Sequence, residues 1–308
     1  MSPEFEEEKW YIRLLDRIRT SRRLKIALLL GPPLVFLIIF FFSPFAIAIM
    51  YSLAMFEKVV HQYFLVPRIS LEYYIKFLNL PGIVNVILKS FYYAIVTTVG
   101  TLVLSYPLAY YLAFKIPERY RNILVFIIFL PFWINFIVRV YALKFIMHGA
   151  GPLQSLLVAI GILKEPIKIL GTDTAVILTM IYSYLIFMLL PLYGVLEKID
   201  KELLEAAATL GASPVKTFLK VTLPLSMPGI IAGSLIVFIP AVGEFIIPVL
   251  VGGAATATLG LLIYRYFIAV GGLVGWGIGS AAGIIYIIII VILSYLYIKL
   301  VGGEIRLA

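Results

Sequence analysis

Six long stretches of this chain hold almost nothing but apolar residues, at approximately 26–53, 84–114, 122–147, 173–196, 226–251 and 279–300. Within them Leu, Ile, Val and Phe fall on every side of a helical wheel. They do not alternate in the short segments a membrane barrel needs. Each run reaches or exceeds the ~20 residues that cross a ~30 Å hydrocarbon core as a helix. The pattern predicts an all-α integral membrane protein with six transmembrane helices. Shorter helices are predicted outside the spans. Ser70 precedes Leu71–Leu78 as a cap, and Pro81-Gly82 ends that segment; a second short apolar helix lies around Leu153–Ile160. Each reads equally as a packing cap over the bundle and as a surface for a partner. Near the start, Trp10, Tyr11, Leu14, Leu15 and Ile18 share a stripe away from Arg13, Asp16 and Arg17. That spacing suits an amphipathic helix on the membrane surface, with a solvated charged tail as the alternative.

Composition removes the soluble alternatives. Of 308 residues, 63% are hydrophobic and 13% charged, and the mean hydropathy is +1.08. A soluble domain carries about 25% charged residues, so this chain could not cover a water-facing surface. There is no cysteine, and His61 and His148 are the only histidines. Disulfides, thiolate metal sites and cysteine nucleophiles are therefore excluded, and no H-E-x-x-H motif occurs.

The net charge of +9 would suggest a nucleic-acid partner in a soluble protein. Here it is an orientation signal, because cytoplasmic loops collect Lys and Arg. Lys9, Arg13, Arg17, Arg19, Arg22, Arg23 and Lys25 precede the first run; Lys115, Arg119 and Arg121 follow the second; Lys198, Lys201, Lys216 and Lys220 follow the fourth; Lys299 and Arg306 close the chain. With six spans these share one side, so both termini are expected in the cytoplasm. Ala46-Ile47-Ala48 imitates a signal-peptidase site, but the charge-free stretch Ile26–Met55 far exceeds the ~7–15-residue apolar core of a cleaved signal. The expected organisation is a cytoplasmic amphipathic segment at 1–25, a six-helix membrane domain at 26–301 and a cytoplasmic tail at 302–308.

One cytoplasmic connection reads as a folded element. Between the fourth and fifth runs, Asp200 is placed to cap a helix, and Glu202 sits in its first turn, where the dipole favours an acid. Gly211 is a natural left-handed stop, and Ser213-Pro214 restarts a helix with a cap and a proline at its first position. A helix, a glycine corner and a second helix are expected over about 198–214.

Glu205-Ala206-Ala207, then Gly211, then Val221-Thr222-Leu223-Pro224 resemble the E-A-A–G–I-x-L-P motif of ABC-importer permeases, with Val221 in place of the usual Ile. Pro131-Phe132-Trp133 with Arg139-Val140-Tyr141, and Gly243-Glu244-Phe245 with Pro248 and Gly252-Gly253, are similar to stretches of the spermidine/putrescine permeases. The resemblance runs from the first span to the sixth. It implies a type I ABC-importer permease fold in which the loop helix docks on an ATPase, with Glu205, Ala206, Ala207 and Gly211 as the coupling residues. It further implies a second and different permease chain, an ATP-binding subunit present as a dimer, an extracytoplasmic substrate-binding protein and an inner-membrane location. The chain has no G-x-x-x-x-G-K-[ST] loop, so no cofactor is expected on it. ATP and Mg would sit on the partner, and the chain would be a transport subunit rather than an enzyme.

A polycation path needs carboxylates and aromatic faces, and ionisable residues inside spans are functional candidates. Glu244 lies 18 residues beyond Ser226, about 27 Å along a helix, and Arg139 reaches a similar outer depth in the third run. Glu244, Arg139, Trp133, Tyr141 and Tyr184 are the candidate path residues, with Tyr182 as a further aromatic. Pairing of Glu244 with Arg139, or snorkelling of both, is the structural alternative, as core or interfacial packing is for the aromatics. An importer of another small solute and a secondary transporter working without an ATPase remain as functional alternatives.

Overall fold

A computed structural model of the chain describes residues 21–59 and 62–305. The amphipathic segment expected before residue 21 and the end of the expected tail lie outside the described residues. The first span, α1 (Arg22–Leu53), is a single helix with one widened turn at Ile38–Phe42. Pro44 follows that turn and offers no N–H to the carbonyl four residues back, so the helix relaxes there. Among the described residues, no residue in the first half of α1 is buried. Its second half, from Ser43, packs on the last helix, where Tyr51 meets Trp276 edge-on at 5.8 Å.

An antiparallel hairpin, β1 (Ala54–Val59) and β2 (Gln62–Ile69), follows α1. The apolar-run pattern did not predict it. Val59, Tyr63, Phe64 and Val66 are strand-favouring types, but the segment is too short to register beside the spans. The short helix expected after Ser70 is α2 (Glu72–Leu78), with Tyr73 and Phe77 buried and Ser70 accepting from the Glu72 N–H.

Three helices form the centre: α3 (Ile83–Phe114), α7 (Asp173–Leu196) and α9 (Pro214–Val242). In lipid there is no hydrophobic drive between helices, so small residues that let backbones approach take its place. Gly229 and Gly233, one turn apart on α9, supply this. A Cβ at Gly229 would stand 3.0 Å from the Leu192 Cα and the Pro191 carbonyl oxygen; at Gly233 it would stand 2.8 Å from the Met188 sulfur. Around this contact Tyr93, Met180, Tyr184, Met188, Val237 and Ile247 are buried in one cluster.

Two expected spans are not continuous. The third run comprises α4 (Glu118–Phe129) with a tight turn through Trp133, then α5 (Phe136–Met147), which α6 (Pro152–Ala159) follows; the bend between Glu118–Trp133 and Phe136–Ala159 is 87°. Pro131 removes a donor at the break, and Asn135 starts the new helix by accepting from the Ile137 N–H at 2.9 Å. The fifth run ends at Val242, turns through Gly243–Phe245 and resumes as α10 (Ile246–Val251). An apolar helix α11 (Leu259–Val270) leads to α12 (Gly272–Ile305), which begins seven residues before the expected start of the sixth span. Among the described residues five helices are long and apolar enough to cross a membrane, or six when the bent pair counts as one.

The short helix α6 is fastened to the end of α5 and to the segment that follows it. Gln154 is fully buried, donates to the carbonyls of Met147 (3.0 Å) and Ile167 (2.8 Å), and accepts from the Ile167 N–H (2.7 Å).

Candidate functional site

The loop between α7 and α9 folds as its local signals require. Asp200 accepts from the Glu202 N–H at 2.9 Å and starts α8 (Lys201–Thr209). At its far end Gly211 has φ +79°, the Gly211 N–H reaches the Ala208 carbonyl and the Ala212 N–H reaches the Ala207 carbonyl. That double closure needs a left-handed residue, which glycine adopts without a Cβ clash. Ser213 then accepts from the Lys216 N–H at 3.3 Å and opens α9. No residue of α8 is buried, and Leu203, Leu210 and Val215 hold apolar surface out to solvent. Glu205 and Ala206 are exposed on this helix and Ala207 is half-buried.

At the end of α7, three residues before the cap of α8, lies a cluster that the sequence reading did not single out. Arg121, only 8% exposed, contacts Glu197 at 3.3 Å and donates to the Ala113 and Ile116 carbonyls at 3.3 and 3.5 Å. Tyr193 donates to the same Glu197 oxygen at 2.7 Å. Towards the other end of the bundle, Lys89 donates to both oxygens of Asp173 at 3.0 Å and to the Ala255 carbonyl at 2.7 Å, while the Tyr93 hydroxyl donates to Asp173 at 2.7 Å. Lys89 stands inside an apolar run, and an intramembrane cation was the signal available for it.

Glu244 sits at the break between α9 and α10 and is 7% exposed. One carboxylate oxygen accepts from Tyr184 at 2.5 Å; the other accepts from the N–H groups of Ile246 (2.8 Å) and Ile247 (3.1 Å). The Thr258 hydroxyl donates to its backbone carbonyl at 3.0 Å. Glu244 therefore caps α10 and joins it to α7. Among the described residues it makes no ion pair with Arg139, so the pairing alternative does not describe this arrangement. The Arg139 guanidinium lies 4.3 Å from the Phe132 ring centre and 5.7 Å from that of Phe136, and its Nε and Nη1 are buried without an acceptor. Trp133, at the third-span break, is 75% exposed and edge-on to Phe126; Tyr141 is exposed one turn along α5. The fold thus brings Tyr184 to Glu244, leaves Trp133 and Tyr141 on an open surface, and holds Arg139 among phenyl rings.

Among the described residues no group of His, Asp and Glu could hold a metal ion.

Residues 105–306 match the family model described as the binding-protein-dependent transport system inner membrane component. The spermidine/putrescine transport system permease protein PotB of Escherichia coli strain K12 is 40% identical over 228 residues, covering 74% of this chain and 81% of that protein. PotB of Salmonella typhimurium strain SL1344 is 40% identical over the same share of this chain and 78% of its own. Among solved structures, a bacterial ABC transporter that imports the acidic polysaccharide alginate aligns with TM-score 0.65 at 17% identity, over 94% of this chain and 99% of that one. That likeness concerns the fold. The six-run pattern, the loop motif and the helical architecture converge on one conclusion: the chain is a multi-pass inner-membrane protein of the ABC-importer permease family, belonging to the inner membrane components of binding-protein-dependent transport systems.

Proposed function

We propose that the chain forms half of the translocation path of an ATP-driven importer for a small polycation of the spermidine/putrescine class. In this reading α8 docks on a separate ATPase dimer that carries ATP and Mg, a second and different permease completes the path, an extracytoplasmic protein delivers the solute, and both termini lie in the cytoplasm. The observation that carries it is α8 itself. It has no buried residue, is closed at both ends by local caps, and is borne by a chain without a nucleotide loop. Such a helix needs a partner to use it.

The broken spans support the placement of the path. Irregular backbone at membrane depth is tolerated where it is buried in protein or lines a water-filled cavity, not against lipid. The Trp133–Asn135 break leaves Trp133 and Ile134 exposed, so we assign that face to the cavity between two permeases. Trp133 and Tyr141 offer ring faces to an ammonium group there. In the arrangement seen here, Glu244 is satisfied by Tyr184 and two backbone N–H groups. It becomes available to a cation only if α10 moves.

That engagement of Glu244 also favours a second reading, an importer of another small solute. Reconstitution with the cognate ATPase and second permease in liposomes tests both. ATP-dependent uptake of labelled spermidine, competed by putrescine, is expected. ATP-driven uptake of a different solute supports the second reading; uptake without ATP removes both.

A further inference from the structure

The cluster at the end of α7, just before α8 in the chain, is not explained by helix formation or by burial of apolar area. Glu197 ends α7, where the helix dipole disfavours a carboxylate. Arg121 compensates it, but at a cost, since the Arg121 Nε is buried without an acceptor. A pair with one buried and one exposed partner, the Arg121 side chain 10% and the Glu197 side chain 38% exposed, is weak support for stability, and the better-attested use of such a pair is to fix one register between elements. The elements it fixes are specific. The guanidinium bridges the last-turn carbonyl of α3 (Ala113), the carbonyl of Ile116 in the turn that follows, and the C-cap of α7 (Glu197), while its own backbone belongs to the first turn of α4. Glu197 stands three residues before Asp200, the cap of α8. Along α4, Trp133 lies twelve residues beyond Arg121, about 18 Å at helical rise.

We infer that Arg121 is a positioning residue of the transport cycle: through Glu197 it locks the base of α8 to α4, so that displacement of α8 is delivered to the third-span break at Trp133. The inference rests on the reading of α8 as the ATPase-docking helix. The planar fork of Arg121 can hold a carboxylate and two carbonyls at once, whereas a lysine offers a single point of charge.

The chain contains no cysteine, so paired spin labels can be introduced without background. Labels at Glu118→Cys and Lys201→Cys, both exposed positions, report the separation of α4 from α8 in the full permease. A narrow distance distribution is expected in the parent and a broadened one in Arg121→Gln and Glu197→Gln. The double variant should be no broader than either single, and Arg121→Lys should fall between. In the reconstituted importer, Arg121→Gln should retain ATP hydrolysis within about twofold and lose about tenfold in solute moved per ATP, by a loss of coupling rather than of the ATPase. An unchanged distribution in both single variants overturns the inference. So does a proportional loss of hydrolysis and uptake, which marks a merely structural role. A parent permease that binds no ATPase overturns the docking reading instead, while the distance measurement on the permease alone still decides whether Arg121 locks the two helices.

Discussion

A carboxylate buried at a helix break is costly unless its oxygens are occupied, and Glu244 fills both: one with the Tyr184 hydroxyl, one with the first two N–H groups of α10. Two consequences can be measured on the residue itself. Tyr184→Phe removes a hydrogen bond to a charged acceptor, worth about 1.5–3 kcal/mol, and should lower the melting temperature of the purified permease. Glu244→Gln keeps the shape and a capping oxygen but loses the charge. Uptake of spermidine should fall while assembly with the ATPase persists. Arg139→Gln added to that variant should not restore uptake, because the two side chains are not an ion pair here. Full restoration of transport by the double change would show that the charges neutralise each other and would take Glu244 out of the path. Both residues were legible in the sequence as ionisable groups inside apolar runs. Their partners were not, since Tyr184 lies 60 positions from Glu244 and nothing local marks the pairing.

At the scale of elements, local chemistry and tertiary packing divide the work visibly. α8 is written in neighbouring residues: Asp200 caps it, Gly211 closes it and Ser213-Pro214 opens the next helix. Gly211→Val forces a branched side chain into a left-handed conformation at about 1–2 kcal/mol. It should leave the chain inserted while weakening co-purification of the ATPase subunit. Glu205→Lys, on the exposed surface of the same helix, should weaken it without a change in permease melting temperature. If both variants support full ATP-driven uptake, α8 is not the docking element. The α7–α9 contact behaves differently. Gly233→Leu has no room beside Met188 and should fail at the level of folded yield, seen as loss of monodisperse protein in detergent.

For the whole molecule, the arrangement of charge along the chain makes a topology prediction that the helices alone leave open. Reporter fusions after Ser70 and Leu163 should read as outside, and those after Arg121 and Ser213 as inside. A reversed pair would invert the assignment of α8 to the cytoplasm and remove the ATPase reading with it. The unpacked first half of α1 fits a chain that is one member of an assembly. Among the described residues nothing packs on this apolar half-helix, which leaves it open to lipid or to another subunit.

Hydropathy and short-range caps, read from the sequence by itself, determined that this is a helical membrane protein, roughly where its apolar helices lie (the fifth begins twelve residues before its expected start, at Pro214), and that a capped helix with a glycine corner stands between the fourth and fifth. Those features depend on interactions spanning a turn or two, or on transfer of a continuous apolar stretch into hydrocarbon, and so they are encoded locally. Tertiary structure decided the rest: that the third run bends by 87° instead of crossing straight, that the fifth breaks at Gly243–Phe245, and which charges meet which. Arg121 with Glu197 and Lys89 with Asp173 are joined across 76 and 84 positions. A buried charge takes whichever acceptor packing carries to it, and that choice is made only when distant helices close around it.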